Sequence, residues 1–128
     1  MKLQVLDDWN GRRRKIAELY LRGLANTGLR LPAVDSDSVS AWHLFVVQHP
    51  QRDQIQQVLA DAGISTLIHY PIPPHRQAAY AGDPVSHAAL PIAERMAAEV
   101  LSLPMGPHLS VADVDHVVSI LSTSANWQ

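Results

Sequence analysis

Two histidines, a tyrosine and an arginine lie close together in a segment with three prolines in four positions. They are His69, Tyr70, His75 and Arg76. Because proline fixes φ and lacks a backbone N–H, no regular element is predicted in the segment that follows Tyr70. Three of the four residues from Ser65 to Ile68 are β-branched or apolar and predict a strand that ends there. Polar groups on a stiff loop at a strand's end are typical of binding sites, although proline-rich connections with a histidine also occur in ordinary domains.

The seven histidines raise the question of a metal site. His69 and His75 are six residues apart across the proline turn, His43 belongs to a neighbouring predicted strand, and no carboxylate lies among them. The ligand spacings of known metal sites are therefore absent, and we predict no metal. We interpret His43, within an apolar segment, as a hydrogen-bonded core histidine rather than a catalytic one.

Other common catalytic patterns are also missing. The sequence has no cysteine and no Gly-x-Ser-x-Gly elbow, and its six glycines are scattered rather than grouped in a phosphate-binding loop. No catalytic residue is predicted. Arg76 could pair with a carboxylate or a phosphate, and a histidine-based hydrolase built on His69 and His75 is a further hypothesis.

The composition is that of one soluble globular domain. Of 128 residues, 47% are hydrophobic and 17% charged, and no apolar run approaches the roughly 18 residues of a membrane span. The formal net charge is −2, and the one basic cluster, residues 12–15, is interpreted as a solvated helix face, so no nucleic-acid partner is expected. Charges among Met1 to Asn10 argue against a signal peptide, and a cytoplasmic location is expected.

The elements that must position the loop alternate between helix and strand. Apolar residues four and seven apart predict one long helix from Lys2 to about Ala25. Val39 to Gln48 predicts a strand that is apolar on both faces and hence central in its sheet. The elements that follow are a helix over Arg52 to Ala62, the strand into His69, a helix from Leu90-Pro91 with Ile92, Met96, Ala97 and Val100 facing inward, a short strand over Leu101 to Leu103, and a last helix after Ser110. This order predicts an α/β fold, a two-layer sandwich of a small, about three-stranded sheet with helices.

Two helix boundaries carry specific signals. Gly63 is expected to take the left-handed position that ends a helix, with Ile64 folding back on the last turn. Ser110 is expected to accept a hydrogen bond from the Asp113 amide in a capping-box-like start, although the usual third residue is Glu or Gln. The chain from Ser122 to Gln128 is predicted to be a fraying tail.

Five groups of residues, taken together and in order, resemble the C-terminal part of the DegT/DnrJ/StrS aminotransferases. They are Leu6-Asp-Asp-Trp9-Asn10-Gly-Arg12-Arg13, Trp42-His43-Leu44-Phe45-Val46-Val47, Arg52-Asp53 followed by Leu59 and Ala62-Gly63-Ile64, His69-Tyr70-Pro71 through His75-Arg76-Gln77, and Leu101-Ser-Leu-Pro104. The resemblance implies a homodimeric pyridoxal-phosphate enzyme that takes an amino-acid donor and aminates nucleotide-linked keto sugars for amino-sugar, cell-surface polysaccharide or antibiotic-sugar biosynthesis. It also implies the small domain of the fold type I aminotransferases, with residues 1–27 as a connector helix from a larger cofactor domain and residues 28–128 as the small domain.

The resemblance implies roles for the loop. The small domain would close over the cofactor cleft, and His69, Tyr70, His75 and Arg76 would bind the nucleotide-sugar substrate. No general base is implied among them, because in this family a lysine of the larger domain moves the proton. Since Lys2 and Lys15 are the only lysines here, both in the connector helix, we expect no cofactor bound to this chain and no transaminase activity from it alone. Some relatives replace the lysine and run a dehydration instead, and that position lies outside this chain.

The second hypothesis is a self-standing, non-catalytic α/β module derived from such an enzyme, which binds a partner protein or a nucleotide sugar. The first helix distinguishes the two hypotheses. A free-standing module should cover the apolar face formed by Val5, Leu6 and Trp9.

Overall fold

The computed structural model describes residues 2–123, with the side chain of Lys2 excepted. Its regular elements are the helices α1 (Leu6–Gly23), α2 (Arg52–Asp61), α3 (Pro91–Glu99) and α4 (Val111–Thr123) and the strands β1 (Phe45–Gln48) and β2 (Val100–Leu103). Short 3-10 helices cover Lys2–Val5, Pro74–Arg76, Ala78–Tyr80 and Pro84–His87. The predicted α/β fold is confirmed. Helix α4 continues through Thr123, and the rest of the predicted tail lies outside the described residues.

The sheet is smaller than predicted. Strands β1 and β2 pair antiparallel, with a register that runs from Phe45 opposite Leu103 to Gln48 opposite Val100. One isolated bridge extends each edge, Arg30 to Gln48 and Leu67 to Ser102. The prediction that β1 is central in its sheet is therefore wrong, because among the described residues β1 has only β2 as a partner strand and on its other side pairs at Gln48 alone. The strand predicted over residues 65–68 forms only this single bridge, because the chain leaves a helix turn just before it and enters prolines, which cannot donate to a ladder, just after it.

The strand predicted from Val39 begins only at Phe45. The cause lies at Trp42, whose φ of 49° is in the left-handed region and interrupts an extended chain. The Trp42 ring instead stacks on Phe45, with ring centroids 5.6 Å apart. His43 is exposed. Its interpretation as a core histidine is therefore wrong, because the turn at Trp42 directs the His43 side chain to solvent.

Helices α1 and α4 pack across the core. The buried residues of the two helices are Ile16, Ala17 and Tyr20 of α1 and Val114, Val117 and Leu121 of α4. The helices come very close at Gly23, where an added Cβ would lie 2.7 Å from Cγ1 of Val118. Only the second half of α1 is buried in this way. Leu6, at the start of α1, is 41% exposed, and Leu3 and Val5 in the preceding 3-10 helix are 81% and 39% exposed.

Both predicted helix-boundary signals are confirmed. Gly63 has a φ of +76°, and its N–H donates to the Ala60 carbonyl while the Ile64 N–H donates to the Leu59 carbonyl, a Schellman motif. At the start of α4, the Asp113 N–H donates to Ser110 Oγ and the Asp113 carboxylate accepts from the Ser110 N–H. Hydrogen bonds from the Ser110 backbone and hydroxyl lower the pKa of Asp113, so the aspartate completes the capping box.

The C-terminal end of helix α3 is held by Arg52 at the start of α2. The buried guanidinium of Arg52 donates to the carbonyls of Ala97 and Val100, which satisfies groups at the helix C-terminus. Ala97 and Val100 are buried, as predicted. The inward orientation predicted for Ile92 and Met96 is wrong, since these side chains are 68% and 43% exposed.

Candidate functional site

The pairing of β2 with the segment before the proline loop determines the position of His69. Ser102 and Leu67 exchange backbone hydrogen bonds of 2.8 and 3.2 Å. Residues opposite each other in an antiparallel pair have their side chains on the same face of the sheet. Along an extended chain, every second residue also lies on that face. His69 is thus a diagonal neighbour of Ser102, and its Nδ1 lies 2.9 Å from Ser102 Oγ.

Tyr70 lies beside His69 on the surface. The two rings meet edge to face, with centroids 5.5 Å apart and an interplanar angle of 87°. The peptide bond between them is cis. Tyr70 is 70% exposed, so its hydroxyl group is accessible from solvent.

His69 and Tyr70 are the two polar side chains of an otherwise apolar cavity. The cavity has a volume of about 250 Å³ and is lined by His69, Tyr70, Ile72, Pro73, Pro74, Ala93, Met96, Ala97 and Val100. Apolar walls with a few placed polar groups are typical of small-molecule sites. We call this cavity the His69 groove. The exposed Met96 lies in its wall, so a surface of α3 that the core leaves free belongs to the site.

His75 and Arg76 are directed elsewhere. Oε1 of Glu94 lies 3.2 Å from His75 Nε2 and accepts a hydrogen bond of 3.0 Å from Arg76 Nη2. Arg76 also donates to the Ser86 carbonyl at 2.7 Å. The hydrogen bonds from Arg76 and then from His75 lower the pKa of Glu94. This cluster joins the loop to the first turn of α3.

The structure therefore places the four predicted substrate groups in two settings. His69 and Tyr70 line the His69 groove. His75, only 5% exposed, lines a second, neighbouring cavity of about 410 Å³, and shares Glu94 with Arg76. The two cavities share the side chains of Pro74 and Ala93 in their walls.

Two residues that sequence reasoning did not single out complete the arrangement. Ser102 gives a signal in hindsight, because it is the polar residue of the apolar strand Val100–Leu103 and a buried hydroxyl needs a partner. Glu94 gives none. Its position in the first turn of a helix is common for acidic residues, and its two partners are eighteen and nineteen residues away in the sequence.

Within residues 2–123, no group of three or more side chains could hold a metal ion. None of the helices described is both long and apolar enough to cross a bilayer.

Two solved aminotransferase structures share this fold over nearly the whole chain. DesV of S. venezuelae, solved with a ketimine intermediate, superimposes with a TM-score of 0.92 at 44% identity and covers 97% of this chain. A DegT DnrJ EryC1 StrS aminotransferase from Brucella abortus gives a TM-score of 0.88 at 31% identity over 98% of the chain. The matches include 34% and 33% of those two chains. The fold is therefore that of a portion of an aminotransferase.

The sequence comparisons identify the family. Residues 1–122 match the model of the DegT/DnrJ/EryC1/StrS aminotransferase family, and the chain belongs to that family. It is 48% identical over 126 residues to the "erythromycin biosynthesis sensory transduction protein EryC1" of Saccharopolyspora erythraea. It is 45% identical over 122 residues to a dTDP-3-amino-3,6-dideoxy-α-D-galactopyranose transaminase of Aneurinibacillus thermoaerophilus. These matches cover 98% and 95% of this chain, and the chain spans about a third of the length of both relatives.

The residues of this chain do not fit a complete pyridoxal-phosphate site, although the family depends on that cofactor in its full-length enzymes. A Schiff base needs a lysine. Lys15 is the one lysine whose side chain the structure describes, and it is exposed on α1 and absent from the lining of the His69 groove. The described residues therefore form the His69 groove without the group that would hold the cofactor covalently.

Proposed function

We propose that this chain forms the C-terminal small domain of a pyridoxal-phosphate-dependent aminotransferase that acts on nucleotide-linked keto sugars. The observation that carries the proposal is the TM-score of 0.92, over 97% of the chain, to an enzyme solved with a ketimine intermediate. A connector role for residues 1–27, an amino-acid donor, a homodimeric assembly and a cytoplasmic location belong to the same proposal.

In this proposal the His69 groove faces the sugar nucleotide. His69 and Tyr70 offer a ring nitrogen and a hydroxyl to polar atoms of the substrate, while the apolar wall excludes water from the groove. His75 and Arg76 act on the substrate through the shape of the loop, because Glu94 and the Ser86 carbonyl already bind them. The chain alone carries no transaminase activity in this proposal, since the cofactor lysine is not among its residues.

The exposed end of α1 supports this proposal over a self-standing binding module. Such a module should cover the apolar face formed by Val5, Leu6 and Trp9. Trp9 is half-buried, but Val5 and Leu6 are exposed and Leu3 beside them is 81% exposed. Large apolar side chains grouped at one end of a helix are typical of a surface that packs against another part of a protein.

The test is a chimera with a relative. The dTDP-3-amino-3,4,6-trideoxy-α-D-glucose transaminase of Streptomyces venezuelae is 48% identical to this chain over 110 residues, which is 29% of its length. We expect that replacing this matching portion with the present chain gives an enzyme that transfers an amino group to the relative's dTDP-linked keto sugar. Transfer is measured by mass spectrometry of the sugar nucleotide.

Two controls accompany the chimera. This chain by itself and the relative without its matching portion should each give no product. A chimera that folds and shows the absorbance of bound pyridoxal phosphate, yet transfers no amino group, would contradict the proposal. Amino transfer by this chain alone would contradict the part that assigns the cofactor lysine to another portion of the enzyme.

A further inference from the structure

We propose that Ser102 is a positioning residue that fixes the tautomer of His69, so that the ring presents its Nε2–H as a hydrogen-bond donor to the His69 groove. The ligand-binding part of this inference rests on the proposed function. The tautomer itself depends only on contacts within this chain.

The geometry fixes the position of the hydroxyl group. Ser102 is 4% exposed, and its backbone is paired with Val46 on one side and with Leu67 on the other. The side chain therefore has little freedom to move. Its Oγ lies 2.9 Å from His69 Nδ1, the distance of a well-formed hydrogen bond.

The direction of this hydrogen bond follows from the partners available. Within residues 2–123, Nδ1 of His69 is the one polar atom that hydrogen-bonds to Ser102 Oγ. If Nδ1 carried the proton, the serine would accept and its own hydrogen would be left unpaired in a buried position, which is unfavourable. The hydroxyl therefore donates, and Nδ1 is the acceptor. A neutral imidazole that accepts at Nδ1 carries its proton on Nε2.

The second ring nitrogen is then available to a ligand. Within the described part of the chain Nε2 of His69 has no hydrogen-bond partner, and the ring lines the His69 groove. An N–H group in an apolar groove selects an acceptor, such as a sugar hydroxyl oxygen or a phosphate oxygen, and disfavours a ligand group that can only donate. Ser102 thereby determines that His69 offers a hydrogen-bond donor to the groove, although Ser102 does not line the groove itself.

The first experiment measures the tautomer directly. Long-range ¹H–¹⁵N NMR of the ¹⁵N-labelled chain, at a pH where the ring is neutral, reports which nitrogen carries the proton. His69→Gln removes one set of signals and so assigns them among the seven histidines. We expect the Nε2–H pattern alone in the wild-type chain. A predominant Nδ1–H pattern would overturn the proposal without the need for any variant at Ser102.

The matched pair Ser102→Thr and Ser102→Val separates the hydroxyl from the size of the side chain. Threonine and valine have nearly the same shape, so both fit the buried position equally well or badly, and only threonine can donate. We expect the Nε2–H pattern alone with threonine and a detectable share of Nδ1–H with valine. The same pattern in both variants would refute a role for the hydroxyl.

The chimera links the tautomer to ligand binding. We expect Ser102→Val to raise the KM for the sugar nucleotide about fivefold relative to Ser102→Thr while kcat changes less than about twofold, because the His69 ring is no longer held in the donating tautomer and orientation and no group that takes part in the chemistry is removed. Equal KM values would overturn the ligand-facing part of the inference. A chimera that is inactive before Ser102 is changed would contradict the proposed function instead, and the tautomer measurement would still decide the role of Ser102.

Discussion

His69 and His75 lie six residues apart in one loop, yet they have opposite surroundings. His69 is half-buried at the rim of an apolar groove, and the one hydrogen bond of its ring among the described residues is with the hydroxyl of Ser102. His75 is 5% exposed, and its Nε2 faces the carboxylate of Glu94, which Arg76 also binds. The cluster around Glu94 thus joins the loop to α3, and the His69–Ser102 pair lies at the groove.

The difference shows how a histidine that stabilises the loop can be distinguished from a histidine that can bind a ligand. Charges that are already paired with one another have little left to offer a ligand. A histidine ring that has one nitrogen in a hydrogen bond within the protein is fixed in orientation, and its second nitrogen can still bind a ligand. The comparison predicts a stability role for His75 and, under the proposed function, ligand contact for His69, and each prediction can be measured.

The largest expected effect is on folding. We expect His75→Ala to lower the free energy of unfolding by about 2–3 kcal/mol, because it opens a cavity at a buried position and removes a partner of Glu94. Urea unfolding measures the change. His69→Ala serves as the control and should cost less than about 1 kcal/mol. Equal losses would remove the distinction between the two histidines.

The second effect is on substrate use. In the chimera, His69→Ala should raise the KM for the sugar nucleotide about tenfold, which corresponds to the loss of roughly 1.4 kcal/mol of binding free energy. Steady-state kinetics with varied sugar nucleotide measure it. His69→Gln keeps a side-chain N–H donor and should recover part of the loss. An unchanged KM in the alanine variant would place the ligand elsewhere.

The third effect is on acid stability. The pKa of Glu94 is lowered in the folded chain by Arg76 and His75, so its contribution is complete above the ordinary glutamate pKa of about 4.3 and is lost as the pH falls through the lower folded-state value. We expect Glu94→Gln to reduce the dependence of the unfolding free energy on pH in that range. Glu18→Gln, on the exposed face of α1, is the control. A wild-type pH profile in the Glu94→Gln variant would show that the cluster does not stabilise the loop.

The smallest effect is at Tyr70. Because Tyr70 is 70% exposed, Tyr70→Phe should change the free energy of unfolding by no more than about 0.5 kcal/mol. Tyr20→Phe is the matched substitution in the core, where the hydroxyl donates to the Pro104 carbonyl at 3.0 Å, and it should cost about 1 kcal/mol. Thermal or urea unfolding compares the two. A larger loss at Tyr70 would indicate that this ring also belongs to the scaffold.

Features with a local cause could be predicted from the sequence. Gly63 ends α2 and Ser110 with Asp113 begins α4 because each depends on residues within a few positions of one another. The proline loop was predictable for the same reason, since proline restricts its own backbone. The position of His69 at the end of an extended segment followed from these signals.

Features that depend on distant partners could not be predicted. Nor could the left-handed φ at Trp42, because tryptophan rarely adopts this conformation. The pairing of Glu94 with the loop joins residues eighteen and nineteen positions apart. The resemblance to a family predicted four polar residues near a substrate, but only the structure shows that two of them already contact Glu94.

Gly23 has a consequence for how much change the first helix tolerates. A methyl group at position 23 would lie 2.7 and 2.9 Å from the two γ-carbons of Val118, a stiff side chain, whereas a methyl group at Gly11 in the same helix would meet nothing within 4 Å. In a deep mutational scan, position 11 should accept most helix-forming residues and position 23 should accept glycine alone. Two identical residues in one helix would then define the extremes of its mutational tolerance.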